Sequence, residues 1–227
     1  MTDKIELTEL DLAEAFRYMG YKGGEIKESI LTITEECEKA LLNVIKPRLA
    51  YKIFDISFAE NGVEIMGTPL IFKGNDIKEH LTGCERCVLM CATLSSDVDK
   101  LIRSYEAEGM EKAFIADTLA SAAVEQVCNK AETLIQQAVG NYSFTWRFSP
   151  GYGDFPLDIQ KEFINITEAD KKIGLTVTES LILIPRKSVT AVIGISEKEI
   201  PKKRRGCGCC NMKDRCEFRK GGSHCGY

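Results

Sequence analysis

The sequence predicts an α+β fold, one domain in which helices pack on an antiparallel or mixed sheet, and three observations predict it. Apolar residues recur at three- and four-residue spacing in some segments and alternate in others, the periods of an amphipathic helix and of a strand. Asn61-Gly62, a pair that tolerates positive φ in a tight turn, lies between two runs of β-forming residues and reads as a hairpin. No βαβ unit repeats along the chain, which argues against a doubly wound parallel sheet.

Each element has its own signal. Thr8 and Asp11 approximate a capping box ahead of Leu12, Phe16 and Met19, and Gly20 supplies a stop, so a short helix is expected over 9–19. Ile30, Ile33, Cys37, Leu41 and Val44 share one face of a helix that ends before Pro47. Leu49, Tyr51 and Ile53 alternate as a strand leading into the hairpin. Asn75 or Asp76 is expected to cap a short helix ending near Gly83, and CVLMCATL is short enough for a buried strand, with Ser95 or Ser96 opening the next helix. From Gly109 to Gly140 a helical pattern runs without a breaker and presents small residues on one face. The last third reads as a strand over 142–148, a turn at Pro150-Gly151, a helix over 157–164, and strands near 173–184 and 189–195 with Pro185 turning between them.

At 227 residues with 44% hydrophobic residues, the chain can bury a substantial core. No apolar run approaches the roughly 18 to 20 residues that span a bilayer, and the first residues are acidic and polar rather than a secretion signal, so a cytoplasmic protein is expected. Half of the ten cysteines fall in segments that read as core, which favours reduced thiols over a secreted disulfide scaffold. The net charge of −4 is uneven: residues 201–227 carry eight Lys or Arg against two Asp or Glu, hence +6, leaving −10 for 1–200. The organisation expected is therefore a folded domain over 1–200 and a basic, Cys-rich tail over 201–227. Its run Lys202 to Arg205 reads as a solvated linker rather than a nucleic-acid interface.

RFSPGYGDFP, Arg147 to Pro156, is the segment with the most chemistry. Arg147 can grip a carboxylate through two parallel hydrogen bonds, Pro150-Gly151 forces a turn that bares backbone amides, and Tyr152 adds a flat amphipathic face. The combination suits a ligand with an amino-acid end and an aromatic or macrocyclic surface; the plainer reading is a strand-to-helix turn with a structural salt bridge.

The order R-x-x-P-G-Y-x-x-x-P, followed by Glu179-Ser180, Pro185 and Ser188-Val189, resembles the activation domain of cobalamin-dependent methionine synthase. A weaker likeness extends over 10–196, through RYMGY (Arg17 to Tyr21), CATL (Cys91 to Leu94) and DTLASAAVE (Asp117 to Glu125), and does not cover the tail. The resemblance implies a C-shaped α+β domain around a twisted antiparallel sheet that binds S-adenosylmethionine in a shallow groove facing the corrin. Carried over by position, Arg147 would take the ligand carboxylate, backbone near Pro150 and Gly151 its polar groups, and Tyr152 would face the corrin, with Glu179 and Ser180 also at the ligand. The family's Glu-Ser-Tyr is Glu179-Ser180-Leu181 here. The family's cobalamin-binding D-x-H-x-x-G has Lys78 at the aspartate position before His80, so His80 reads as a surface or helix-end residue and cobalamin would come from a partner.

The implied protein is a stand-alone reactivation module for a cobalamin-binding methionine synthase or another corrinoid protein. It would present S-adenosylmethionine for reductive remethylation of cob(II)alamin, with a flavodoxin or ferredoxin as electron donor. Any catalysis would be that of a component of a methyltransferase in methionine biosynthesis. In the tail, Cys207, Cys209, Cys210, Cys216 and Cys225 crowd together beside His224, a density that fits zinc or an iron–sulfur cluster. Cys84, Cys87 and Cys91 read instead as small apolar core residues. The alternative function is a metal-binding redox or adaptor protein that keeps the fold without binding S-adenosylmethionine.

Overall fold

A computed structural model describes residues 5–21 and 24–200; the tail, with all five of its cysteines, lies outside the described residues. The helices are α1 (Leu12–Tyr18), α2 (Glu28–Val44), α3 (Asn75–His80), α4 (Ser96–Glu108), α5 (Met110–Val139), α6 (Gln160–Thr167) and α7 (Ala169–Ile173). The strands are β1 (Arg48–Ala59), β2 (Gly62–Ile65), β3 (Ile71–Phe72), β4 (Arg86–Thr93), β5 (Ser143–Phe144), β6 (Thr176–Val177), β7 (Leu183–Ile184) and β8 (Ser188–Ser196). Six strands form one sheet in the order β3-β2-β1-β4-β8-β5, and β6 and β7 form a separate hairpin. Every strand pair is antiparallel.

The central strand β4 explains why its sequence is an unbroken apolar run. Val88, Met90 and Ala92 join one hydrophobic cluster with Ala191, Ile193 and residues of α2, α4 and α5. Cys87, Leu89 and Cys91 join a second cluster with Val192, Phe72, Phe155 and residues of α6 and α7. A strand covered on both faces has no polar side to show, so its hydrophobicity cannot alternate. The alanines of α5, among them Ala116, Ala120 and Ala123, are buried in the first cluster and keep the helix close to its neighbours. Cys84, Cys87 and Cys91 are buried free thiols, and burial pushes Cys91 up to about 12, which suits packing rather than ligation.

Several boundaries differ from expectation for identifiable reasons. Asp11, not Thr8, caps α1, accepting from Glu14 N at 2.9 Å. The strand expected over 142–148 is laddered only at Ser143–Phe144, with a single further bridge from Phe148 to Val192. Thr145 interrupts it: the Thr145 N–H donates to the Gly194 carbonyl, but the Gly194 N–H donates to the Thr145 hydroxyl rather than to backbone. The helix expected over 157–164 begins at Gln160 and runs to Thr167. Where a strand is expected near 173–184, α7 ends at Ile173 and the short β6–β7 hairpin follows, with Gly174 at φ +71° closing the helix and Leu181 at φ +64° in the hairpin turn.

Candidate functional site

The segment from Arg147 to Pro156 is built as a tip on two anchors. Pro150 is buried, while Gly151, Tyr152, Gly153 and Asp154 are exposed. The turn does not bare these backbone amides as expected but closes on itself: Gly151 N donates to the Phe155 carbonyl at 2.8 Å, Phe155 N to Tyr152 O at 3.1 Å, and Tyr152 N to Ser149 O at 3.2 Å. Gly151 and Gly153 supply φ of +91° and +58°, angles that L side chains rarely adopt.

The first anchor is aromatic. The Phe155 ring is buried, edge-on to Phe72 at 5.1 Å between centroids and stacked with Phe148 at 6.0 Å. Phe148 in turn stacks on His80 at 5.0 Å, and Trp146 meets His80 edge-on at 4.9 Å. His80 does sit at the end of α3, but it is buried rather than on the surface, because this aromatic stack and a 2.8 Å hydrogen bond between its Nε2 and the Thr145 hydroxyl enclose it.

The second anchor is polar. Asp154 accepts from the backbone N–H of Asn75 at 2.7 Å and of Asp76 at 2.9 Å, while Asp154 N donates to the Asp76 carboxylate at 3.1 Å. Neither Asn75 nor Asp76 is the cap of α3; the N-cap position is Gly74, which has no side chain to cap with, and a carboxylate 78 residues away does the work. The hydrogen bonds from Asp76 and Asn75 hold the Asp154 carboxyl below its ordinary pKa.

With both anchors in place, Tyr152 stands at the tip with 68% of its surface exposed. Arg147 is turned the other way, toward α5. Its side chain is only 9% exposed and forms ion pairs with Glu125 and Glu132, with a further hydrogen bond of 2.8 Å to Asn129. Burial works against the guanidinium charge, yet Cys128, Glu132 and Glu125 raise its pKa above the ordinary value. Glu179 and Ser180 are exposed on the β6–β7 turn, where Thr178 and Ser180 share a 2.9 Å hydrogen bond. The structure thus joins Pro150, Gly151 and Tyr152 in one tip, packs Arg147 between strand and helix, and carries Glu179 and Ser180 on a separate hairpin.

Two parts of this arrangement escaped the sequence. Asp154 carried no mark of its role, although a helix opening at Gly74-Asn75 without a side-chain cap is a signal that one must come from elsewhere. Glu125, Asn129 and Glu132 are spaced four and three residues apart, one face of a helix, and such a stripe of acceptors calls for a cation across it. Among the described residues no group of three or more His, Cys, Asp or Glu could hold a metal ion, and no helix is long and apolar enough to cross a membrane.

No known protein family matches the chain, and no curated protein does. Among solved structures, the crystal structure of the MetH reactivation domain bound to AdoHcy is similar, with a TM-score of 0.65 at 15% identity over 99% of this chain and 87% of that one. The chain shares the fold of the MetH reactivation domain. The α+β fold around an antiparallel sheet that the sequence resemblance implied is the one the structure has.

Proposed function

We propose that this chain is a reactivation module for a cobalamin-dependent methionine synthase or a related corrinoid protein, presenting S-adenosylmethionine for the reductive remethylation of cob(II)alamin. The observation that carries the reading is the pairing of an R-x-x-P-G-Y tip, hydrogen-bonded within its own turn and through Asp154 to α3 with its tyrosine exposed, with a whole-chain likeness to a domain bound to AdoHcy. In this role the tip lies against the S-adenosyl ligand, and Tyr152 touches that ligand with one edge while its ring faces the corrin. The N–H groups of Gly151 and Tyr152 are committed within the turn, so the backbone near Pro150 and Gly151 holds the donor groups of the ligand through carbonyl oxygens. A ligand carboxylate reaches Arg147 by displacing Glu125, whose side chain is 36% exposed against 19% for Glu132. Glu179 and Ser180 contribute from the hairpin.

Cobalamin belongs to the partner in this reading, and a flavodoxin or ferredoxin delivers the electron. The module contributes positioning of the methyl donor, which converts an encounter of two large molecules into a step within one complex. The five tail cysteines, Cys207, Cys209, Cys210, Cys216 and Cys225, are proposed to bind zinc or an iron–sulfur cluster. Metal analysis and absorption spectra of the full chain after anaerobic purification, compared with a chain ending at 200, test that assignment.

The central test mixes the protein with cob(II)alamin methionine synthase lacking its own activation domain, S-adenosylmethionine and a reductant. Recovery of turnover is expected, and unchanged activity sinks the proposal. A second reading, a metal-binding redox or adaptor protein on the same fold, is favoured by one observation, the occupation of Arg147 by the chain's own carboxylates. Titration calorimetry with S-adenosylmethionine separates the two: saturable heat lost on Arg147→Ala supports the module, and its absence supports the adaptor.

A further inference from the structure

We infer that Asp154 is a positioning residue for Tyr152, and that α3, to which the sequence lent no functional part, is the platform on which the tip is set; this role rests on the tip facing the S-adenosyl ligand. Three facts converge. Asp154 lies two residues after Tyr152 and its carboxylate uses both oxygens on the backbone of α3, Oδ2 on Asn75 and Oδ1 on Asp76. The bond is returned by Asp154 N to Asp76, so the clasp fixes the backbone of the tip as well as the side chain. Gly74 makes the approach possible: a Cβ there would lie 2.7 Å from Asp154 Oδ1 and 2.8 Å from its carbonyl oxygen, and its φ of +117° is one that side chains rarely adopt.

The clasp is more than a helix cap because of what it leaves outside. Phe155 is anchored in the core on one side and Asp154 on the other, and Tyr152 projects between closing hydrogen bonds of the same turn. An exposed aromatic whose backbone is already fixed loses little further entropy when a flat ligand or macrocycle settles on it. Without the clasp the turn keeps Phe155 but frees the Gly153-Asp154 side, and Tyr152 samples positions that miss the ligand.

The test is a double-mutant cycle on the full chain, with calorimetric affinity for AdoHcy and S-adenosylmethionine, thermal unfolding, and amide exchange over residues 150–155. Tyr152→Ala is expected to weaken binding, and Asp154→Ala to weaken it by roughly tenfold, about the worth of one lost ordering interaction. Gly74→Ala, which spoils the same clasp from the opposite side, is expected to match Asp154→Ala. Because Asp154 acts through Tyr152, the double variant binds no more weakly than Tyr152→Ala alone. Losses that add, or wild-type affinity in Asp154→Ala with only a lowered melting temperature, overturn the positioning role and leave Asp154 a helix cap. Absence of wild-type binding is a different result: it overturns the ligand-facing reading of the tip, and this role with it.

Discussion

Arg147 donates to the carboxylate of Glu132, fifteen residues earlier on α5, from a side chain that is 9% exposed. The same guanidinium bonds Glu125 and Asn129, so one side chain ties the segment before the tip to three positions along the helix. Removing it strands two acidic groups at a poorly solvated seam. Arg147→Ala is therefore expected to cost about 2 kcal/mol, below the full penalty for a buried pair because Glu125 remains partly solvated. The midpoint of urea unfolding at constant slope measures it, and Arg147→Lys, which keeps charge without the planar fork, should recover only part.

Gly194 offers a steric test of the other side of the site. A Cβ there would stand 2.5 Å from Cys84 Sγ, 3.0 Å from Thr145 Cγ2 and 3.1 Å from Leu81 Cδ2. All three neighbours are buried, so none can swing into solvent. Gly194→Ala should destabilise by about 2 kcal/mol through overpacking, read as a drop in melting temperature. Since Thr145 also binds His80, the aromatic stack beneath the tip should loosen, visible as a changed near-ultraviolet circular dichroism signal.

The clasp at Asp154 should show a defined pH dependence of stability. Its carboxyl is held below the ordinary pKa by hydrogen bonds from Asp76 and Asn75. A group whose folded pKa is depressed contributes fully above the unfolded value, about 3.9, and loses that contribution as pH falls through the lower folded value. The difference in unfolding free energy between wild type and Asp154→Ala should thus be constant from neutral pH to about pH 5 and shrink below about pH 4. A difference that grows as the pH falls would contradict the geometry.

Leu181 occupies the position where the resembled family carries tyrosine, and it does so with φ +64°. Under the proposed function, Leu181→Tyr should tighten S-adenosylmethionine binding by roughly fivefold, the worth of one net hydrogen bond. Leu181→Gly, which relieves the backbone without supplying a hydroxyl, should leave affinity unchanged. Calorimetric titration of both variants separates the side-chain effect from the turn.

Local chemistry wrote much of this molecule plainly. Asn61-Gly62 announced the β1–β2 turn, Pro47 stood just beyond the end of α2, and the helical pattern that runs without a breaker between Gly109 and Gly140 gave α5 almost to the residue. These features rest on contacts between near neighbours in sequence, whose geometry the residue types dictate. The misread elements are those where distant groups compete with local ones. The Thr145 hydroxyl took a ladder hydrogen bond from Gly194, shortening a strand that its own residues favoured. Asp154 supplied the cap expected from Asn75 or Asp76.

The tip shows the same division. The sequence by itself determined that Arg147 to Pro156 would contain a Pro-Gly turn with a tyrosine at its crest, because φ restrictions at proline and freedom at glycine act within a few residues. Only the tertiary structure decided that Arg147 faces inward to Glu125 and Glu132 while Tyr152 faces out, and that α3 holds the turn from 78 residues away. Those choices depend on which helix packs behind the strand and which backbone N–H groups lack partners nearby, quantities that exist only once the sheet has brought its two layers together.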